Sequence, residues 1–392
     1  MYNFYTTNKK LFLFSFLMLI FFIFRLWDFY PIYGGKLFSD WNYIIEYSSC
    51  RNLILENAVD LKYNCEATLK NVFIYPSIWL KSYLISEEFF KIIPYFIIIL
   101  FLIICMKVIN TENFFPNFII LFSTPFVLVM QRGNNEMIIF ILIYFFLFFF
   151  QKKKFILPTV FLFISGFLKI YPITILIIFF RKKIFSMYNF FLLFLLVAFL
   201  IIMKNEIISI SSFLQSKITL TYSSQTLFLI INYFFQLSNN YFLFFSIGAF
   251  LILFMISLSI RVNIDDQFEE ENSYVIGSTI LIFSFFLSTS FEYRLIFSAF
   301  LIPLITKGIN KKIFLFKLTY IVLLFSLWFE FLIFYTYNFI EFNNIKSNFG
   351  YILNMQTIVL GSLIFLKNLF YWLLNFFMMI TLKEIIFKKL NF

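Results

Sequence analysis

The chain has 392 residues, of which 62% are hydrophobic and only 13% charged. A soluble fold of that length does not hide so much apolar surface, so the composition specifies a polytopic membrane protein. The formal charge of +11 needs no nucleic-acid partner, because the cations cluster between apolar runs as the positive-inside rule requires. Histidine is absent, which excludes Ser-His-Asp chemistry and histidine-based metal sites and leaves a carboxylate as the natural general base.

The N-terminus resembles a signal peptide, with Lys9 and Lys10 ahead of an apolar stretch from Leu11 to Phe24. No small-residue cleavage site follows, and Arg25-Leu26-Trp27-Asp28 reads as an interfacial anchor, so the stretch 11–27 is expected to remain as a first span. A large loop, 28–90, comes next. Within it, Ser39 or Asp40 is placed to cap an amphipathic helix from Trp41 to Ile54. Cys50 and Cys65 also lie there, where a disulfide is permitted outside the cytoplasm; two free thiols are the alternative. The loop ends on Asn71 to Trp79, whose Tyr75, Pro76 and Trp79 suggest a re-entry turn at the interface, with aromatic faces suited to a sugar ring.

Further apolar segments follow at 91–109, 116–130, 137–150, 155–168, 171–180, 186–204, 241–260, 274–291, 295–306, 313–335 and 355–382. The expectation is an all-α bundle of roughly twelve hydrophobic segments, forming a single membrane domain over 1–392. Basic clusters at Lys9/Lys10, Lys107, Lys152–Lys154, Arg181–Lys183, Lys307/Lys311/Lys312 and Lys383/Lys388/Lys389 fall at alternate breaks, which puts both termini in the cytoplasm. The acidic loop 261–273 falls on the same side by alternation. The connections 28–90, 131–136, 169–172 and 292–294 then share the extracytoplasmic side. Segments 137–150, 155–168 and 171–180 are shorter than the ~20 apolar residues of a spanning helix. They predict short or re-entrant elements around an outward-facing cavity, since irregular backbone at membrane depth must line a polar space or be buried in protein.

Four polar elements on that side carry the candidate chemistry. Asp40 is either the helix cap or a general base that deprotonates an acceptor hydroxyl; Asp28 and Glu46 compete within the same loop. Arg132-Gly133-Asn134-Asn135-Glu136 is either a polar turn between spans or a ligand site. Lys169-Ile170-Tyr171-Pro172 either sends a lysine to the interface or recesses it beside Arg132 as an anion site for phosphate. Glu292-Tyr293-Arg294 is either an ion pair within the bundle or a second such site. No metal-ligand cluster and no cofactor motif stands out.

Taken together these motifs resemble the integral-membrane glycosyltransferases of the GT-C type, in particular glycosyltransferase family 87, the DUF2029 group, similar to polyprenyl-phosphate-mannose-dependent mannosyltransferases. The resemblance rests on Ser39-Asp40 followed by Tyr43 to Cys50, Cys65 to Trp79, Arg132 to Glu136, Leu168 to Pro172, and Tyr293 to Phe297, within residues 39–300. The family pattern more often has Asp where Glu136 stands, and the C-terminal third lies outside the resemblance. It implies a GT-C-like bundle, a polyprenyl-phosphate sugar donor, a glycolipid or glycan acceptor and an extracytoplasmic site in a bacterial plasma membrane. It also implies an inverting transfer with Asp40 as base. In that scheme Arg132, Lys169 and Arg294 meet the donor phosphate, and Asn134, Asn135, Glu136, Tyr171, Glu292 and Tyr75 line the substrate. Two other readings stand beside it. One is a transporter or lipid flippase, on the strength of interrupted helices and buried charges. The other is an envelope polysaccharide polymerase or ligase, which would share the sidedness.

Overall fold

The computed structural model describes residue 15 and residues 37–57, 78–79, 87–109, 119–181, 187–213, 221–235, 242–262, 264, 269–287, 290–344 and 350–390. Apart from Ser15, the expected first span at 11–27 lies outside the described residues, as do Tyr75, Cys65 and the Cys50 side chain. The stretch read as one membrane domain divides into two compact units, 1–110 with 127–215 and 111–126 with 216–392.

In the first unit the described elements are α1 (Ser39–Asn57), α2 (Glu87–Ile109), α4 (Glu136–Gln151), α5 (Ile156–Leu168), a 3-10 run (Tyr171–Arg181) and α6 (Met187–Phe213). Helix α3 (Thr124–Gln131) leads into α4 through a bend of 112°. That bend is a Schellman turn. The Asn134 N–H donates to Val129 O and the Gly133 N–H to Met130 O, with Gly133 at φ +60. Residue Gly133 is needed there twice over, because a Cβ would also meet Phe38 Cδ1 at 3.1 Å and Trp41 Cβ at 3.2 Å. Trp41 anchors the start of α1 on α2: its ring stacks on Phe90 at 4.7 Å and its Nε1–H donates to Phe90 O at 2.9 Å.

The second unit holds β1 (Thr221–Tyr222), α7 (Ser224–Phe235), α8 (Phe242–Ser259), α9 (Glu271–Leu287), β2 (Ser290–Phe291), a second 3-10 run (Glu292–Phe300), α10 (Ile302–Asn310), α11 (Phe314–Asn344) and α12 (Gly350–Leu390). The two strands pair antiparallel, Thr221 opposite Phe291 and Tyr222 opposite Ser290. Segment 295–306, expected as one piece, is the end of the 3-10 run followed by α10. Two of the basic clusters end helices: Lys153 and Lys312 both take positive φ in Schellman turns that close α4 and α10. Lys383, from a third, donates from Nζ to Ser257 O at 3.2 Å in the last turn of α8 and to Ile260 O just beyond it at 2.5 Å, where a cation suits the helix dipole.

Among the described residues, four helices are long and apolar enough to cross a membrane: Glu88–Ile109, Met187–Asn205, Phe314–Thr336 and Val359–Lys388. A fifth is added if α3 and α4 count as one bent span. The expectation of roughly twelve segments is thus met in part, since the other described apolar stretches are shorter helices or 3-10 runs. Side chains such as Phe194 and Ile201 on α6 and Met255 on α8 are about two-thirds exposed. Such apolar surface suits lipid tails rather than water.

Tight backbone approach sets the position of the second 3-10 run against α9. A Cβ on Gly277 would lie 2.9 Å from Phe297 O and 2.9 Å from Phe300 Cβ. A backbone oxygen cannot step aside, so Gly277→Ala is expected to destabilise the protein by about 1–3 kcal/mol. The check is a thermal unfolding curve in detergent; an unchanged midpoint would show that the contact yields freely.

Candidate functional site

The first unit brings three of the four sequence motifs into one hydrogen-bonded network. Phe38 N–H donates to Gln131 O at 2.7 Å and Asp40 N–H to Arg132 O at 3.0 Å, so the backbone entering α1 lies along the α3–α4 turn. This places the Asp40 carboxylate, 7% exposed, under the turn's side chains. Arg132 donates to Asp40 Oδ1 from Nε at 2.9 Å and from Nη2 at 2.5 Å. Asn134 Nδ2 donates to Oδ2 at 2.5 Å. Asp40 is therefore engaged with Arg132 and Asn134, and the carboxylate spends both oxygens on side chains 92 and 94 residues away.

Asn134 joins this cluster to the next. Its Oδ1 accepts the Glu136 N–H at 2.9 Å, which also satisfies one open donor at the start of α4. Glu136, wholly buried, then accepts from Lys169 Nζ at 2.7 Å on Oε1 and from the Tyr171 hydroxyl on Oε2. Lys169 reaches it because α5 ends there: Lys169 is extended (φ −155, ψ 139) and Pro172 follows in the 3-10 run. The last carbonyl before it, Leu168 O, accepts the Trp79 Nε1–H at 3.2 Å. Trp79 also meets the Trp41 ring edge-on at 6.3 Å, so the end of the first loop touches both halves of the network.

The Lys169 side chain is 13% exposed and ends on Glu136. The open anion site is not what the resting arrangement holds, because both cations already face carboxylates. Arg132 remains the most accessible member, with 34% of its side chain exposed. Asn135 is 1% exposed, and neither atom of its amide has a hydrogen-bond partner among the described residues. Among the described residues, no group of three or more His, Cys, Asp and Glu side chains is placed to hold a metal ion.

The fourth motif belongs to the second unit. Glu292 is 1% exposed and pairs with Lys367 Nζ at 2.5 Å, while the same ammonium reaches Glu330 Oε2 at 2.6 Å. Arg294 lies two residues on, half-buried. Lys367 and Glu330 escaped the sequence reading because each is a lone charge inside a long apolar stretch. Two opposite charges in separate spans were the available signal.

Comparison with protein-family models, with curated proteins and with solved structures finds no match to the chain. The geometry therefore stands on its own chemistry.

Glu136 is the fully buried carboxylate of the network. Lys169→Met strips the ammonium from a fully buried carboxylate and is expected to cost about 3–5 kcal/mol. The double variant Glu136→Gln/Lys169→Met should recover most of that loss, measured as unfolding midpoints in a double-mutant cycle. Additive losses would mean that the two side chains act independently.

Proposed function

We propose that this protein is a membrane glycosyltransferase. It moves a hexose, mannose first among the candidates, from a polyprenyl-phosphate donor to a lipid-linked or envelope glycan acceptor. The site faces the extracytoplasmic side of a bacterial plasma membrane, with both chain termini cytoplasmic. The observation that carries the reading is the unbroken hydrogen-bond chain from Arg132 through Asp40, Asn134 and Glu136 to Lys169 and Tyr171. It assembles a carboxylate base and two cations from motifs far apart in the sequence, next to aromatic residues of the first loop. The likeness of those motifs to glycosyltransferase family 87 adds to it.

In this mechanism the donor's phosphate draws on Arg132, the exposed end of the network. A guanidinium has five N–H donors, of which Asp40 takes two. As Arg132 turns to the phosphate, Asp40 Oδ1 is released to the acceptor. The acceptor hydroxyl attacks the anomeric carbon from the face opposite the phosphate and gives its proton to Asp40. The bond from the anomeric carbon to the phosphate oxygen breaks, and its electron pair stays on the phosphate. Arg132 and Lys169 offset the charge that develops there. A single displacement inverts the anomeric centre, so one base suffices. The first unit supplies every residue of this scheme; Glu292 and Arg294 take no step in it.

A second reading, a transporter or lipid flippase, draws on the buried Lys367 and its two glutamates, since charges inside spans often mark a transport path.

The test is transfer of radiolabel from polyprenyl-phosphate mannose to a membrane glycolipid extract by the purified protein. Asp40→Asn should lower transfer about 10²–10⁴-fold, the range for loss of a general base, in protein that still unfolds cooperatively. Full activity in that variant would remove Asp40 from the role of base. Labelled lipid that crosses the bilayer of proteoliposomes without transfer would favour the flippase.

A further inference from the structure

The charged side chains of the first unit's network are matched, Asp40 to Arg132 and Glu136 to Lys169. The neutral side chains beside them are not. Among the described residues, the Ser39 hydroxyl, the Gln131 side-chain carbonyl and both ends of the Asn135 amide are closed off from solvent without a hydrogen-bond partner. Each is a chain neighbour of a network member: Ser39 of Asp40, Gln131 of Arg132, and Asn135 of Asn134 and Glu136. The backbone gathers them at one turn. Ser39 lies between the Phe38 N–H to Gln131 O bond and the Asp40 N–H to Arg132 O bond, and Gly133 bends the chain into α4 just before Asn135.

Asn135 also does without its ordinary task. It stands at the N-cap of α4, where an Asn side chain commonly accepts a helix N–H, yet it makes no such bond. Asn134 takes the Glu136 N–H instead. Buried polar atoms are costly to leave open, and native proteins leave few. Four of them around a single turn call for a partner that the chain itself does not supply.

The chemistry of the open set narrows that partner. The Gln131 and Asn135 carbonyl oxygens accept, the Asn135 amide nitrogen donates, and the Ser39 hydroxyl does both. A phosphate brings chiefly acceptors and would leave the two carbonyl oxygens unmet. A metal cation would meet those oxygens but leave the Asn135 N–H groups open, and the Arg132 charge stands next in the chain to Gln131. Sugar hydroxyls both donate and accept, and two neighbouring hydroxyls on a ring match the N–H and C=O of one amide.

We propose that Ser39, Gln131 and Asn135 form an uncharged subsite that binds the hydroxyl groups of the transferred sugar, beside the Asp40 base and the Arg132 and Lys169 cations. The proposal rests on the glycosyltransferase reading and names the part of that site that selects the sugar. Arg132, with 34% of its side chain exposed, is the way in: its turn toward the donor phosphate opens the neutral groups next to it.

The test is binding by the full-length protein in nanodiscs, read from tryptophan fluorescence, since Trp41 and Trp79 sit on the elements that carry the network. Polyprenyl phosphates that carry mannose, glucose or galactose are compared with bare polyprenyl phosphate. The parent protein should bind at least one glycosylated lipid about 10–100-fold more tightly than the bare one, the range for a buried hydrogen bond gained or lost. Asn135→Leu should abolish that preference and leave the affinity for the bare lipid unchanged. It should also keep or raise the unfolding midpoint of the ligand-free protein, because it removes two open polar atoms; an amide with a merely structural role would lower it. Gln131→Met and Ser39→Ala, each close in shape to the residue replaced, should weaken the preference in the same direction, and they serve if Asn135→Leu does not fold. Equal affinity for bare and glycosylated lipids in the parent protein would overturn the proposal and leave the open atoms to ordered water. A preference that survives every variant that folds would overturn it too, with the transferase reading intact. A preference that the variants abolish, in a protein that transfers none of the three sugars, would uphold the subsite and sink the transferase reading instead.

Discussion

A charge inside an apolar bundle persists only beside groups that replace its lost water, and this requirement organises both units. The first unit meets it with Arg132 on Asp40 and Lys169 on Glu136. The second meets it with Lys367 between Glu292 and Glu330. Each contact joins elements that are remote in the chain, at separations of 92, 33, 75 and 37 residues. Removing one partner of such a pair costs more than the pair itself contributes, because the survivor stays desolvated. The ion pairs therefore act as constraints on which helix ends meet.

In the first unit that constraint is delivered by a backbone turn. Gly133 adopts a conformation that L side chains avoid, and its missing Cβ lets Phe38 and Trp41 close on the turn. The entry to α1 then runs along the carbonyls of Gln131 and Arg132. Asn134, adjacent to Gly133, spends its amide nitrogen on Asp40 and its amide oxygen on the first turn of α4. One short stretch of backbone thus ends α3, starts α4 and holds the candidate base. The second unit is a contrasting case, with the Lys367 ammonium shared by the Glu292 and Glu330 carboxylates.

Much of this was legible beforehand, and the reasons are local. Helices α4 and α5 and the first 3-10 run fall within one or two residues of the segments 137–150, 155–168 and 171–180, because each is bounded by a charged cluster or a Gly or Pro. Helix α1 begins at Ser39, two residues before the expected Trp41, so Ser39 and Asp40 lie inside its first turn rather than capping it. Asp40 itself is engaged with Arg132 and Asn134 across the fold. That engagement was not legible, since a carboxylate in a first helical turn looks the same whether it caps the helix or meets a distant cation. The 3-10 backbone of residues 292–300 was also hidden: hydrophobic periodicity over nine residues does not separate 3-10 from α geometry.

The sequence by itself determined that the chain is apolar and helical, that it carries helices of membrane-spanning length, and which short polar motifs interrupt them. Those are properties of composition and of near neighbours along the chain. Only the tertiary structure decided which charges meet. Arg132 takes Asp40, Lys169 takes Glu136, and Glu292 takes Lys367, which is 75 residues away, rather than Arg294 two residues on. The physical reason is that pairing inside a low-dielectric interior is settled by packing, where helices bring side chains within about 3 Å and shut out water. Separation along the sequence carries no record of that distance.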